Sequence, residues 1–239
     1  MNDFSCQMHH QQQRTEVSHE TASPNRILHL GSDCRSTGLV ATGVVHAETA
    51  SAALTREAQA AITPAKALEM LKEGNERFVS GKAVERDYLA QVKQTSKGQF
   101  PFAAVVSCLD SRIPPAIVFD RGIGDLFVAR VAGNFVNDDI LGSLEFATKL
   151  AGAKLIVVMG HTECGAVKGA CDAAQLGLLT ATLANINPAV KAVQGDYTSR
   201  SSENAKFVQA VTEMNVQVTM QTLRDRSAYS SPFRSLILF

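Results

Sequence analysis

Hydrophobic residues are scattered without period over residues 1 to about 50 and become organised from Thr63 onward. The stretch TPAKALEMLKEGNERFVSG offers Thr63 as N-cap and Pro64 at the first helical position. Ala67, Leu68, Leu71 and Phe78 then fall near one face, and Gly81 ends the helix this predicts. Residues 84–100 are polar and read as helix plus loop. FAAVVSC (102–108) is a continuous apolar run with β-branched residues, the mark of a buried strand. DLFVARVAG (125–133) reads as a second strand and AKLIVVMG (153–160) as a third. Between them, DDILGSLEFATKLAG (138–152) sets Ile140, Leu141, Leu144, Ala147 and Leu150 on one helical face behind an acidic cap. CGAVKGACDAAQLG begins another helix. FVQAVTEMNVQVTMQTLRDR is a long one, with Phe207, Val211, Met214 and Val218 three or four apart. Strands alternating with helices predict an α/β fold, a mainly parallel β-sheet flanked by helices. Sites in such sheets lie at the carboxyl ends of strands. Two polar stretches fall there, SCLDSR after the first strand and GHTECG after the third.

Composition narrows the function classes. At 45% hydrophobic the chain can bury a core, and with 23 basic against 23 acidic residues its net charge is zero. A nucleic-acid binder acting through bulk charge is thereby disfavoured. No apolar run approaches the roughly 20 residues of a membrane span. The five cysteines, Cys6, Cys34, Cys108, Cys164 and Cys171, are odd in number and widely spaced, unlike a disulfide framework. Cys6 and Cys34 lie in the polar leader, and Cys171 reads as a small buried helical residue. Cys108 and Cys164 remain.

His161 and Cys164, two residues apart at a strand end, can hold one metal ion from two sides, and Cys108 would add a third ligand from another strand. Two thiolates and an imidazole suit Zn²⁺, and three protein ligands leave a fourth position open, as in catalytic zinc. Every other histidine lies in the leader. Taken alone, His161 reads rather as a core histidine beside a chance cysteine, and Asp110 with Arg112 as a solvated surface pair. Together they make another sense. A carboxylate two residues from a ligand can bond metal-bound water or take the fourth position, and an arginine two residues further can hold it ionised through a bidentate pair.

CLDSRIPPAIVFDRGIGDLFVARVAGN followed by GHTECGAVKGA closely resembles the β-class carbonic anhydrases, and the similarity runs from about Thr63 to Arg226. The resemblance implies one zinc per chain held by Cys108, His161 and Cys164, with Asp110 and Arg112 as the catalytic dyad. Asp110 would also ligate the metal in a closed resting form. It implies substrate-pocket roles for Gln99, reaching across a dimer interface, and for Phe127, Ala132 and Gly165. The reaction implied is the reversible hydration of CO₂ to bicarbonate and a proton by a zinc-bound hydroxide. The partners implied are CO₂ or bicarbonate and further copies of the chain, as a homodimer or homotetramer, with no nucleic acid. Two thiolates cancel the formal charge of zinc, so hydration is expected to quicken above neutral pH. Alternatives are a CS₂ or COS hydrolase on the same scaffold and a non-catalytic zinc-binding protein that retains the fold. A thiol redox protein is disfavoured by the lack of Cys-x-x-Cys.

Both ends depart from the family pattern. Residues 1–50 read as a disordered leader or a signal-like segment. Arg35 precedes a short apolar run, Gly38 to Val45, and VHA offers a cleavage site after Ala47. The location is accordingly cytoplasmic or periplasmic. Residues 51–239 form a single domain whose tail is atypical from about 228, and the family's C-terminal strand is expected to be missing, which would leave a sheet edge bare.

Overall fold

The computed structural model describes residues 52–227 and the backbone of 233–237. The leader, its signal-like segment ending near Ala47 and the domain boundary at 50 lie outside the described residues. Helix α1 (Arg56–Ala61) and helix α2 (Pro64–Val79) precede the sheet, each opened by a threonine. The Thr63 hydroxyl accepts from Lys66 N at 3.2 Å with Pro64 at the first position, as the sequence predicts. Ala67 and Leu71 are fully buried, whereas Phe78, the penultimate residue of α2, is exposed. Helix α3 (Tyr88–Thr95) follows from the polar segment. Gln59, polar yet buried, donates from Nε2 to Pro101 O at 2.7 Å and to Ala151 O at 2.8 Å, tying α1 to loops far along the chain.

The sheet contains β1 (Ala103–Ser107), β2 (Leu126–Arg130), β3 (Leu155–Gly160) and β4 (Phe233–Ile237). All pairings are parallel and the order is β2-β1-β3-β4. The three apolar runs are thus strands, as predicted. The missing C-terminal strand is a correction. Residues 233–237 pair with β3 from Ile156 opposite Phe233 to Gly160 opposite Ile237. The physical reason is that a parallel ladder is made by backbone N–H and C=O groups. FRSLI has no glycine or proline to interrupt them, so the family's side-chain pattern is not required.

Short helix α4 (Pro115–Val118) links β1 to β2. Helix α5 (Asp138–Glu145) runs on into a wide π-type turn, Phe146–Leu150, before β3. Its cap differs from the acidic one expected. Asn137 accepts from Ile140 N at 3.0 Å, while Asp138 and Asp139 occupy the first turn, where the helix dipole favours negative charge. After β3 come α6 (Gly165–Cys171), α7 (Gly177–Ala184), α8 (Asn187–Ala192) and α9 (Ala205–Arg226).

Alternate residues of β1 and β3 enter different cores. Ala104, Val106, Ile156 and Val158 pack with Leu141 and Leu144 of α5 and with Val216, Met220 and Leu223 of α9. Ala103, Val105, Leu155 and Val157 face Ala67 and Leu71 of α2 and Phe119. Each fully buried valine or leucine contributes about 1.5–3 kcal/mol relative to exposure. A third cluster beyond the carboxyl ends holds Cys108 and Cys164 with α6, α8 and the start of α9. The buried face of α9 is broader than the expected spacing of Phe207, Val211, Met214 and Val218. It includes Val208, Thr212, Asn215, Val216 and Thr219, while Met214 and Val218 lie at its margin. A helix serving two cores needs a wide stripe, and polar residues sit inside it.

Candidate metal centre

The strand order makes a crevice. From β1 the chain passes to β2 on one side, and β3 has β4 on the other. Connections that leave neighbouring strands in opposite directions open a gap at their carboxyl ends. Ser107 lies opposite Met159, so Cys108 emerges from β1 level with Gly160, and His161 follows β3 directly. Cys164 immediately precedes α6. The backbone N–H groups of Ala166 and Val167 in the first turn of α6 face its sulfur.

Cys108, His161 and Cys164 are all buried, and their ligand atoms lie within 4.8 Å of one another. The sulfurs are 3.9 Å apart. His161 Nδ1 sits 2.9 Å from Thr162 O and so carries the proton, which leaves the Nε2 lone pair free. Nε2 is buried and has no hydrogen-bond partner among the described residues. Burying an acceptor unpaired is costly, and a cation beside the two sulfurs removes that cost. The donor set fits zinc: a tetrahedral ion with Zn–S bonds of about 2.3 Å spans about 3.8 Å between sulfurs. Two thiols in contact favour a single shared negative charge, and it settles on Cys108. Contact with Cys164 holds the Cys108 thiol well below its ordinary pKa against the opposition of burial, helped by His161 and Gly133 N–H. That thiolate raises the His161 pKa in turn, again against burial.

Asp110 and Arg112 stand at the mouth. Arg112 donates from Nε to Asp110 Oδ1 at 2.9 Å and from Nη2 to Oδ2 at 2.7 Å, and its backbone N–H reaches Oδ1 at 3.0 Å. The guanidinium holds the Asp110 carboxyl well below the usual carboxylate range. Asp110 Oδ2 is 4.0 Å from His161 Nε2. A permanently ionised carboxylate therefore overlooks the free imidazole nitrogen.

Four supporting residues escaped the sequence reading. Arg130, the last residue of β2, donates from Nε to Cys108 O at 2.9 Å and from Nη2 to Asp110 O, fixing the backbone on both sides of Leu109. Gly133 N–H points at Cys108 Sγ at 3.4 Å. Asn215, buried in α9, donates to Gly133 O at 2.7 Å. Glu163 adopts φ +56°, and its carbonyl accepts from Arg112 Nη2 at 3.2 Å. Arg130 and Gly133 lie inside DLFVARVAG, read as a strand and as part of the family pattern, with no role of their own assigned. The signal for Asn215 was a polar residue on the apolar face of a long helix.

The remaining pocket candidates are spread out. Gly165 is exposed at the start of α6, next to Cys164, with no atom within 4 Å of where a Cβ would stand. Ala132 is half-buried beside Gly133. Phe127 lies lower in β2, opposite Ala104, with its ring edge-on to Phe146 at 6.3 Å. Gln99 is exposed in the loop before β1, at the other end of the sheet from Cys108. The chain thus gathers Cys108, Asp110, Arg112, His161, Cys164, Ala132 and Gly165 about one crevice, and leaves Gln99 away from it.

Residues 103–235 match the family model described as carbonic anhydrase. Carbonic anhydrase 2 of Mycobacterium tuberculosis is 43% identical over 117 residues, which cover 48% of this chain and 56% of that protein. A carbonic anhydrase of Mycolicibacterium smegmatis is 41% identical over 115 residues, with the same shares of 48% and 56%. The chain spans about half the length of these curated relatives. A crystal structure of a β-carbonic anhydrase from Aspergillus fumigatus shares the fold, with a TM-score of 0.53 and 24% identity over 72% of this chain and 84% of that one. Structures of tetrameric β-carbonic anhydrases from Sordaria macrospora give a TM-score of 0.52 at 19% identity, over 71% of this chain and 90% of theirs.

Proposed function

This chain belongs to the β-class carbonic anhydrase family, and we propose that it catalyses the reversible hydration of CO₂ to bicarbonate and a proton at a zinc ion held by Cys108, His161 and Cys164. The observation that carries the reading is the buried, unpartnered Nε2 of His161, within 4.8 Å of two buried sulfurs and facing an ionised carboxylate. Zinc, when bound, supplies the Lewis acidity that makes water a nucleophile near neutral pH.

The chain's own groups do the rest. Asp110 accepts a hydrogen bond from the reacting water and so directs an oxygen lone pair toward the CO₂ carbon. Arg112 holds Asp110 ionised and fixed through its paired donors. Arg130 positions both residues through the carbonyls of Cys108 and Asp110. CO₂ is apolar and needs a small uncharged slot, which the neighbourhood of Ala132 and the open side of Gly165 provide. Gln99 acts in a second subunit, because its place at the far end of β1 keeps it from the crevice of its own chain. That role goes with the proposed homodimer or homotetramer.

The test is stopped-flow CO₂ hydration on protein of measured metal content, beside Cys108→Ala. The proposal expects about one zinc per chain and hydration far above background, both lost in the variant. One zinc per chain with only background hydration would refute it and leave a zinc-binding protein that keeps the fold.

A further inference from the structure

At the end of the sheet opposite the metal centre, about 17 Å away along five strand residues, lies a cavity of about 320 Å³. Its lining includes Arg77, Arg86, Arg121, Asp125 and Gln91. Charge is unevenly matched there. Asp120, almost fully buried beneath it, takes Arg77 Nε at 2.6 Å and both amino groups of Arg86. Arg121 makes no ion pair among the described residues. It donates from Nη2 to Met70 O and lies over the Phe102 ring at 5.3 Å, and its buried Nε has no partner. Guanidinium stays charged in proteins, so a half-buried cation stands here with no carboxylate in contact with it among the described residues.

The cavity also presents free groups of both kinds. Arg121 Nη1 and the amino groups of Arg77 have no hydrogen-bond partner among the described residues, and neither residue shows them sealed from solvent. Asp125 uses Oδ2 to accept from Gly122 N at 3.0 Å, and Oδ1 takes no hydrogen bond among the described residues. Gln91 is fixed by accepting from Ile123 N at 2.9 Å and forms a rigid wall. Arg121 and Arg77 thus share the lining with Asp125, and no ion pair joins either of them to it among the described residues.

We propose that this cavity binds a small oxyanion that still bears a hydroxyl, of the hydrogenphosphate class. Its oxygens accept from Arg121 Nη1 and Arg77, and its hydroxyl donates to Asp125 Oδ1. The carboxylate gives the site its selectivity. A fully deprotonated tetrahedral anion such as sulfate has acceptors for the arginines but no proton for Asp125, and it meets lone-pair repulsion there. Burial raises the Asp125 pKa, in keeping with a carboxyl that gains from a shared proton.

The experiment is isothermal titration of the zinc-loaded full chain with inorganic phosphate and, separately, with sulfate. One phosphate per chain is expected, bound at least about tenfold more tightly than sulfate, the worth of one charge-assisted hydrogen bond. Arg121→Gln should weaken phosphate by about tenfold or more. Asp125→Asn, which offers an amide donor, should abolish the preference over sulfate. Arg112→Gln at the metal centre should leave phosphate binding in place. Arg77→Gln, at the partly exposed rim, carries the same expectation as Arg121→Gln if that variant does not fold. No phosphate binding, binding indifferent to both arginine variants, or binding lost in Arg112→Gln would each overturn the proposal.

Discussion

Replacing Gly133 by alanine should separate two costs that meet at one backbone position. Gly133 has φ +85°, and a Cβ there would stand 2.4 Å from Ile186 Cδ1, 3.1 Å from Ile186 Cγ1 and 3.5 Å from Ala166 Cβ. The left-handed backbone costs an L-residue about 1–2 kcal/mol. Overpacking against the fully buried Ile186 adds about 1–3 kcal/mol, so the variant should lose roughly 2–5 kcal/mol in urea unfolding. Ile186→Val removes Cδ1, the nearest clash, at a cost of its own of about 0.5–1.5 kcal/mol. In the double variant the steric part should largely disappear while the backbone part stays, giving a favourable coupling of about 1 kcal/mol or more in the cycle. The Gly133 N–H that faces Cys108 Sγ will also be displaced, so zinc affinity measured against a competing chelator should fall about 10–100-fold. A Gly133→Ala protein within about 0.5 kcal/mol of the parent, or a cycle with no coupling, would refute the reasoning.

Asp120→Ala leaves Arg86 and Arg77 without their buried carboxylate and should cost about 3–5 kcal/mol near neutral pH. Burial works to raise the Asp120 pKa, but Arg86 and Arg77 outweigh it and the net shift is downward. The contribution is therefore present above the ordinary carboxylate range and lost as pH falls through the folded value. Unfolding free energies of the two proteins should converge below about pH 4 and differ most above it. Arg112→Gln removes the guanidinium that depresses the Asp110 pKa. Zinc content should be unchanged, while the acid limb of the hydration rate profile moves to higher pH; an unmoved limb would contradict the positioning role. Stripping zinc with a chelator should lower the melting temperature by roughly 8 °C or more, restored by stoichiometric Zn²⁺ and not by Mg²⁺. A melting curve indifferent to the chelator would count against a buried structural load on the metal.

The parallel sheet was legible because β1 and β3 are buried on both faces, which makes their apolar runs continuous. β4 was not, since Arg234 and Ser235 interrupt the apolar run that marks a buried parallel strand, while the backbone pairs with β3 all the same. The ligands and the dyad were legible because Cys108, Asp110 and Arg112 are close in sequence and His161 and Cys164 are close in another stretch. What lay outside that reach were contacts between distant segments through backbone atoms. Arg130 acts on two carbonyls, Asn215 acts on a third, and Gly133 acts through its own N–H. None of these needs a distinctive neighbour in sequence. The reading of α9 was a residue or so off for a related reason, because Asn215 and the threonines on its buried face resemble exposed positions until their partners are seen.

Cys108 and Cys164 are 56 residues apart in the chain yet have their sulfurs in contact. A metal bridging them is therefore also a cross-link, and it closes a loop that contains β2, α5 and β3. By the chain-entropy relation for a covalent bridge of that span, the closure restricts the unfolded chain by about 4 kcal/mol. The loop can be tied only after β1 and β3 have come side by side, since neither strand alone carries the whole ligand set. Metal capture then reports on assembly of the sheet's centre. Its rate during refolding should follow the pairing of β1 with β3 and be indifferent to the docking of α3 at the other end.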